Sequence, residues 1–269
     1  MGLRLLLILL LASLFSPDSN TPTELAGIAH VAFRVKDGAT SRNFYQKLGF
    51  EQSFEFNDPG KAPVSYMKVN DRQFIELYQR NDDSQPLGLM HVCYEASDIE
   101  ALQKEYVSRE VKAPEPKKAR AGNMLFTIRD PENQVIEFTQ YMPGSLHFED
   151  RGRHLGEAHG AIRMESVVFG VQDVPTERGF YTTKLGFKDS GSEGVLTLRL
   201  PGNSLEEIGL QSASPTPKPR IVFSVASLQR TANDLHKRGL FPDQRFSVTD
   251  PDGVVVVFVE KKEQTNKNR

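Results

Sequence analysis

The chain has 269 residues, of which 38% are hydrophobic and 25% are charged, and its formal net charge is −2. These values are typical of a soluble globular protein with one large domain or two of ordinary size. A charge so close to zero provides no basic surface for nucleic acid and no polybasic patch for a membrane. The single cysteine, Cys93, excludes an intramolecular disulfide.

The first 20 residues predict a signal peptide. Arg4 precedes a run of apolar or small residues from Leu5 to Phe15, and a polar segment containing Pro17 follows it. This run is shorter than the roughly 20 residues that a membrane-spanning helix needs. We therefore expect a secreted or periplasmic protein with no membrane attachment once residues 1–20 are removed. A short membrane anchor or a misassigned start is the alternative.

The next segments predict a module of one strand, one helix and three strands. Residues 27–35, "GIAHVAFRV", alternate as a strand does, and 39–50, "ATSRNFYQKLGF", have apolar residues at helical spacing and end beside a glycine. The short strands "EQSFEF", "VSYMKV" and "RQFIELYQ" follow, with turn residues between them. From residue 89 the pattern recurs as a strand, a helix, an irregular Pro/Lys-rich stretch and two strands.

Three matched segments indicate an internal duplication. "HVAFRVKD" at 30–37 resembles "SVVFGVQD" at 166–173, "FYQKLGF" at 44–50 resembles "FYTTKLGF" at 180–187, and "FTIRDPENQVIEF" at 126–138 resembles "FSVTDPDGVVVVF" at 246–258. The order predicts an α+β protein with four βαβββ-type modules in two tandem domains. We place these domains at 25–142 and 163–262, with a connector at 143–162 and a polar tail at 263–269.

Four polar side chains fall on one face of the predicted strands, opposite the apolar face that packs on the helices. Each half of the first copy contributes one histidine and one glutamate, at intervals of 46, 15 and 46 residues: His30, Glu76, His91 and Glu137. Two imidazoles and two carboxylates suit a divalent transition metal. Taken singly, each histidine could instead be a core residue, and a glutamate could pair with Arg34 or Lys68.

By the same alternation, seven further residues lie on the face of the four polar residues and are predicted to line a substrate cleft: Ala32, Arg34, Phe74, Tyr78, Cys93, Val135 and Thr139. A small buried strand residue is the more common role for a lone cysteine such as Cys93. The connector histidines, His147, His154 and His159, are expected to be surface or hydrogen-bonding residues.

The second copy lacks the four polar side chains. In an alignment of the two repeats, Ser166 corresponds to His30, Gly209 to Glu76, Ile221 to His91 and Val257 to Glu137. The second domain is therefore predicted to bind no metal.

The segments "HVAFRV…FYQKLGF…FIEL" and "MHVCYEASDIEAL…DPENQVIEF" resemble the vicinal oxygen chelate superfamily of glyoxalases, bleomycin-resistance proteins and extradiol dioxygenases. The resemblance implies paired modules whose curled mixed sheets carry helices on the outer face. It also implies one divalent metal (Zn, Ni, Mn, Co or Fe(II)) held by His30, Glu76, His91 and Glu137. Glu137 or Glu76 would be the general base.

This resemblance implies lyase or isomerase chemistry through a metal-chelated enediolate of a small oxygenated substrate. An Fe(II) ring-cleaving dioxygenase would need only His30, His91 and Glu137, leaving Glu76 surplus. A non-catalytic small-molecule-binding protein is the third alternative. An oligomer is possible in each case but not required.

Overall fold

The computed structural model describes residues 24–158, 162–191, 195–213 and 218–261. The predicted signal peptide, polar tail and His159 lie outside these residues. Within them, no helix has the length and apolar character needed to cross a membrane.

The first half of the chain forms two modules that share one mixed sheet. The first module contains β1 (Leu25–Val35), α1 (Gly38–Lys47), β2 (Glu51–Phe56), β3 (Val64–Lys68) and β4 (Phe74–Gln79). The second contains β5 (Gly88–Ala96), α2 (Ile99–Ser108), β6 (Lys117–Lys118), β7 (Met124–Arg129) and β8 (Val135–Gln140). The two-residue strand β6 lies in the stretch that we expected to be irregular.

The eight strands run in the order β2-β3-β4-β1-β5-β8-β7-β6. The first strands of the two modules, β1 and β5, pair antiparallel at the centre, and each also pairs in parallel with the last strand of its own module, β4 or β8. The first and last strands of both modules are therefore immediate neighbours in the middle of the sheet.

The apolar face of this sheet packs against its helices, as the strand alternation predicts. Val31, Phe33 and Val35 are at most 1% exposed and share a core with Tyr45 of α1 and Tyr106 of α2. Both helices begin at an aspartate whose side chain accepts a backbone hydrogen bond, at Asp37 and Asp98. The opposite face of the strands is consequently free to carry polar side chains.

The described residues of the second half repeat this architecture with one strand fewer. It contains β9 (Arg163–Val171), α4 (Val174–Gly179) with a π-helical turn (Phe180–Lys184), β10 (Lys188–Asp189), β11 (Leu196–Arg199) and β12 (Glu207–Ser212). β13 (Arg220–Val225), α5 (Leu228–Lys237), β14 (Ser247–Thr249) and β15 (Val255–Glu260) follow. The sheet order is β10-β11-β12-β9-β13-β15-β14, so the last module has two strands after its helix among the described residues.

The two halves pack through their helix-covered faces. The hydroxyl of Tyr45 donates a hydrogen bond to Asp250 Oδ2 at 3.1 Å, and the rings of Phe50 and Phe223 lie 5.3 Å apart. The apolar residues of both sheets form one continuous core. The polar face of the first sheet thus points away from the second domain.

The connector between the halves contains a short helix, α3 (Leu146–Glu149), and a 3₁₀ turn (Gly156–Ala158). Ser145 caps α3, accepting a hydrogen bond from the backbone of Phe148. This segment does not simply span the gap between domains: His147 and Asp150 are both buried against the first sheet.

Candidate metal centre

The register of the four central strands brings the predicted ligands together. On β1 and β5, His30 is paired with Cys93 and Ala32 with His91. Ala32 is also paired with Glu76 on β4, and Cys93 with Glu137 on β8. The four polar side chains therefore occupy adjacent positions on four neighbouring strands, two on either side of the pseudo-twofold axis between the modules.

Their side chains meet at Nε2 of His30. This atom lies 3.1 Å from Nε2 of His91 and 3.3 Å from one carboxylate oxygen each of Glu76 and Glu137. Nε2 of His91 lies 3.9 Å from the other oxygen of Glu76. Two ligands held at about 2.1 Å from one ion are themselves about 3.0 to 4.2 Å apart, depending on the angle between them. The separations among His30, Glu76 and His91 fit a single divalent ion, and Glu137 approaches this group through its contact with His30.

Among the described residues, two groups of three candidate metal ligands each have their ligand atoms within 4.8 Å of one another, and both groups include His30. One contains Glu76 and His91, and the other contains Cys93 and Glu137. Cys93 was predicted to line the substrate cleft, but its sulfur lies among the candidate metal ligands. It is fully buried, and burial together with the charges of Glu137 and Glu76 raises the pKa of its thiol well above the usual range. A protonated thiol is a poor metal ligand.

Burial and neighbouring charge set the protonation of the cluster. Burial lowers the pKa of His91 to about 4, so its imidazole is neutral at neutral pH. Burial raises the pKa of Glu137, but the hydrogen bond and charge of His30 more than offset this effect and the net shift is downward. Burial raises the pKa of Glu76 to about 7, with the charge of His30 opposing it. A neutral imidazole and an ionised carboxylate are the forms that bind metal.

A tyrosine fixes the orientation of Glu76. The Tyr78 hydroxyl donates a hydrogen bond to Glu76 Oε2 at 2.9 Å. Glu76 is only 4% exposed, whereas the side chains of His91 and Glu137 are each 12% exposed. Glu137 is therefore the more accessible of the two carboxylates.

A cavity of about 500 Å³ opens over the cluster. His30, Glu76, Glu137 and Tyr78 line it, and residues 117–121 of the Pro/Lys-rich stretch form part of its rim. This volume suits a small molecule.

The other residues predicted to line a cleft occupy different places. Ala32, Phe74, Cys93 and Thr139 are 0% exposed. They lie on the polar side of the sheet but beneath other side chains: Asn123 donates to Thr139 at 2.5 Å, and the rings of Tyr141 and His147 cover Phe74. Arg34 donates to the carbonyl of Pro86 at 3.3 Å, and Val135 lines a separate cavity that also includes Phe180.

The expectation that His147 is a surface or hydrogen-bonding residue is wrong. It is 3% exposed, and neither ring nitrogen has a hydrogen-bond partner among the described residues. Sequence reasoning also did not predict Tyr66, which lines the cavity. The alternation of β3 places Tyr66 on the same face as its partner on β4, Glu76, so that signal was available.

The alignment of His91 with Ile221 is also wrong. In the second sheet Val168 pairs with both Gly209 and Arg220, as Ala32 does with Glu76 and His91. The structural counterpart of His91 is therefore Arg220, and Ile221 lies on the buried opposite face. At Gly209, the counterpart of Glu76, an added Cβ would lie 2.8 Å from the side chain of Val168 and 2.9 Å from that of Val195, so this position has no room for a glutamate side chain.

Comparisons with known proteins agree with this architecture. The family model for the Glyoxalase/Bleomycin resistance protein/Dioxygenase superfamily matches residues 27–138, which include all four clustered residues. No curated protein sequence matches the chain significantly.

Solved structures of both glyoxalases and dioxygenases share the fold. The Mn(II)-bound glyoxalase from Novosphingobium aromaticivorans is 17% identical, with a TM-score of 0.63, covering 88% of this chain and 83% of its own. The 2,3-dioxygenase LapB from Pseudomonas sp. KL28 is 14% identical, with a TM-score of 0.65, covering 90% and 94%. Homoprotocatechuate 2,3-dioxygenase from Arthrobacter globiformis is 16% identical, with a TM-score of 0.62, covering 93% and 85%.

At these identities the neighbours establish the fold and not the reaction. The family model covers residues 27–138, which is less than half of the chain. Through residues 27–138 the chain matches the model of the glyoxalase/bleomycin resistance protein/dioxygenase superfamily, and its fold is that of solved glyoxalases and dioxygenases.

Proposed function

We propose that the protein is a metal-dependent enzyme of the glyoxalase type that moves a proton on a small substrate carrying two adjacent oxygen atoms. The observation that supports this most strongly is the position of His30 Nε2, within 3.3 Å of His91, Glu76 and Glu137. His30, Glu76, His91 and Glu137 would hold one divalent ion, with Zn, Ni, Mn, Co and Fe(II) all compatible with nitrogen and oxygen ligands.

A divalent ion in this position would draw electron density from the two substrate oxygens and acidify a neighbouring C–H bond. The protein must then supply a base. Glu137 is the better candidate because it is more exposed to the cavity, whereas the Tyr78 hydroxyl holds Glu76 in place. Glu137 would leave the ion when the substrate binds, which would free its carboxylate to accept the proton.

Proton exchange with solvent tests this proposal directly. The metal-loaded protein would be incubated in D₂O with a panel of small α-hydroxycarbonyl compounds, and deuterium uptake at carbon followed by NMR. We expect exchange with at least one compound, and a loss of about 10² to 10⁴-fold in Glu137→Gln. The exposed carboxylate of Glu51 is a control, and Glu51→Gln should exchange at the wild-type rate. Equal rates in the two variants would exclude Glu137 as the base.

A ring-cleaving dioxygenase is the second candidate. His30, His91 and Glu137 provide the two histidines and one carboxylate that non-haem Fe(II) oxygenases use. Oxygen consumption with catechols after anaerobic Fe(II) loading separates the two functions, because the proton-transfer proposal expects none. A protein that only binds small molecules would show neither oxygen consumption nor deuterium exchange.

A further inference from the structure

The wall of the cavity contains a histidine that no hydrogen bond explains. The His147 ring lies among four aromatic rings, stacked on Tyr141 with centroids 4.6 Å apart and edge-on to Phe54, Tyr66 and Phe74. Both ring nitrogens are buried without a partner in the part of the chain that the structure describes. Buried polar groups are nearly always paired, so an unpaired imidazole needs an explanation.

His147 also lines the same cavity as His30, Glu76 and Glu137. It belongs to neither group of candidate ligand atoms lying within 4.8 Å of one another. It is therefore placed to meet a molecule in the cavity, without being one of the clustered candidate ligands.

The local structure holds this ring firmly. Lys68 on β3 is fully buried, and its Nζ atom lies 3.0 Å from the carboxylate of Asp150 and 2.7 Å from the carbonyl of Arg153. These contacts hold Asp150 and Arg153 of the connector, which follow α3, the helix that contains His147. An imidazole fixed in this way loses little further freedom when a ligand binds.

The rim of the cavity adds a charge preference. Lys117 and Lys118 form strand β6, are exposed and line the cavity, and neither forms an ion pair within the described ranges. Arg120 also lines the cavity, but Asp58 neutralises it through two hydrogen bonds of 2.8 Å. Two unpaired lysines beside a divalent ion would attract an anion.

We propose that His147 hydrogen-bonds directly to the substrate, and that the substrate is a small anion whose charge is met by Lys117 and Lys118. This inference rests on the proposed function, since the two adjacent oxygens of the substrate are assigned to the metal. A further hydroxyl or carboxylate oxygen of the substrate meets the His147 ring.

Binding of 3,4-dihydroxybenzoate to the zinc-loaded protein tests the proposal. This probe has two adjacent oxygens and a carboxylate, and zinc adds no redox chemistry. In His147→Phe, which keeps an aromatic ring, affinity measured by calorimetry should fall about tenfold, the effect of one hydrogen bond. The matched control is His236→Phe on α5, which should bind within about twofold of wild type because His236 lies outside the cavity and its ring packs beside Phe241.

The lysines are tested with the double variant Lys117→Ala/Lys118→Ala and with catechol, which lacks the carboxylate. The variant should bind 3,4-dihydroxybenzoate at least about fivefold more weakly and catechol about as well as wild type. Equal losses for both probes, or none for either, would overturn the anionic substrate class.

The contact between His147 and the probe can also be observed by NMR in the wild-type protein. Long-range ¹H–¹⁵N spectra of the zinc-loaded wild-type protein report the histidine ring nitrogens, and the His147 signals are those missing from His147→Phe. They should shift when 3,4-dihydroxybenzoate saturates the protein. Unmoved signals, or unchanged affinity in His147→Phe, would overturn the contact.

Zinc content, measured on every sample, separates this inference from the proposed function. Normal zinc with unchanged probe affinity in His147→Phe contradicts the inference alone. Loss of zinc in His147→Phe contradicts it as well, because His147 would then be a ligand. A wild-type protein that takes up no zinc contradicts the proposed function and, with it, this inference.

Discussion

Nζ of Lys68 lies 3.0 Å from Oδ2 of Asp150, and this ion pair joins strand β3 of the first sheet to the connector. The lysine side chain is 0% exposed and that of Asp150 is 8% exposed, so the pair is shielded from water. Removing one member of such a pair leaves the other charge buried. Lys68→Met should lower the free energy of unfolding by about 3–5 kcal/mol, measured by urea denaturation.

Lys61 provides the matched control. Its side chain is 73% exposed and lies 3.8 Å from Asp58. Lys61→Met should change the free energy of unfolding by about 0–1 kcal/mol. Similar losses in the two variants would show that the Lys68 pair has no special role in holding the connector.

Tyr78→Phe should weaken metal binding. The substitution removes the hydroxyl that donates to Glu76 Oε2 at 2.9 Å, and such outer hydrogen bonds orient metal ligands. We expect the dissociation constant for Zn(II) to rise about 10 to 100-fold, measured by competition with a chromogenic chelator. Tyr106→Phe is the control, because the buried hydroxyl of Tyr106 has no hydrogen-bond partner among the described residues. If both variants bind zinc like the wild type, Glu76 does not depend on Tyr78.

Glu206 should make stability depend on pH. Burial raises its pKa from 4.5 to about 7, despite the hydrogen bond from the backbone of Ile28. Between these values the folded protein retains a proton that the unfolded chain releases, so the free energy of unfolding falls as pH rises from about 4.5 to about 7. Glu206→Gln keeps an acceptor for Ile28 and removes the ionisation.

The melting temperature of Glu206→Gln should therefore exceed that of the wild type by at least about 3 °C at pH 8, and the difference should vanish near pH 4. The neighbouring Glu207 provides a control of opposite sign. It lies 3.4 Å from Arg199, so Glu207→Gln loses a partly exposed ion pair and should not raise stability at pH 8. A Glu206→Gln variant that is less stable than wild type at pH 8 would contradict the assignment.

The cluster was predictable because the two-residue alternation of a strand holds around each of its four residues, although β1 and β5 pair with register shifts elsewhere. The positions of His30, Glu76, His91 and Glu137 opposite the helix-packed face follow from this local alternation. The same alternation explains the error at Ile221. Aligning one residue out of register moves a side chain to the other face of the sheet, and the true counterpart, Arg220, is the adjacent residue.

The burial of His147 could not be predicted in this way. Its segment has no hydrophobic period, and it is buried because Phe54, Tyr66 and Phe74 present aromatic rings from three strands far away in the sequence. The lysine that anchors the connector is likewise more than 80 residues away from Asp150. Such contacts are determined by the assembled sheet and leave no local signal in the sequence.

Metal stoichiometry tests the central claim most directly. The purified protein would be stripped with a chelator, reloaded separately with Zn, Ni, Mn, Co and Fe(II), desalted, and analysed by elemental mass spectrometry beside His30→Ala and the remote control His236→Ala. We expect about one equivalent of at least one of these metals in the wild type and in His236→Ala. His30→Ala should retain less than about a tenth of an equivalent, since His30 Nε2 lies at the centre of the cluster. Equal metal content in all three proteins, or no metal in the wild type, would contradict that claim.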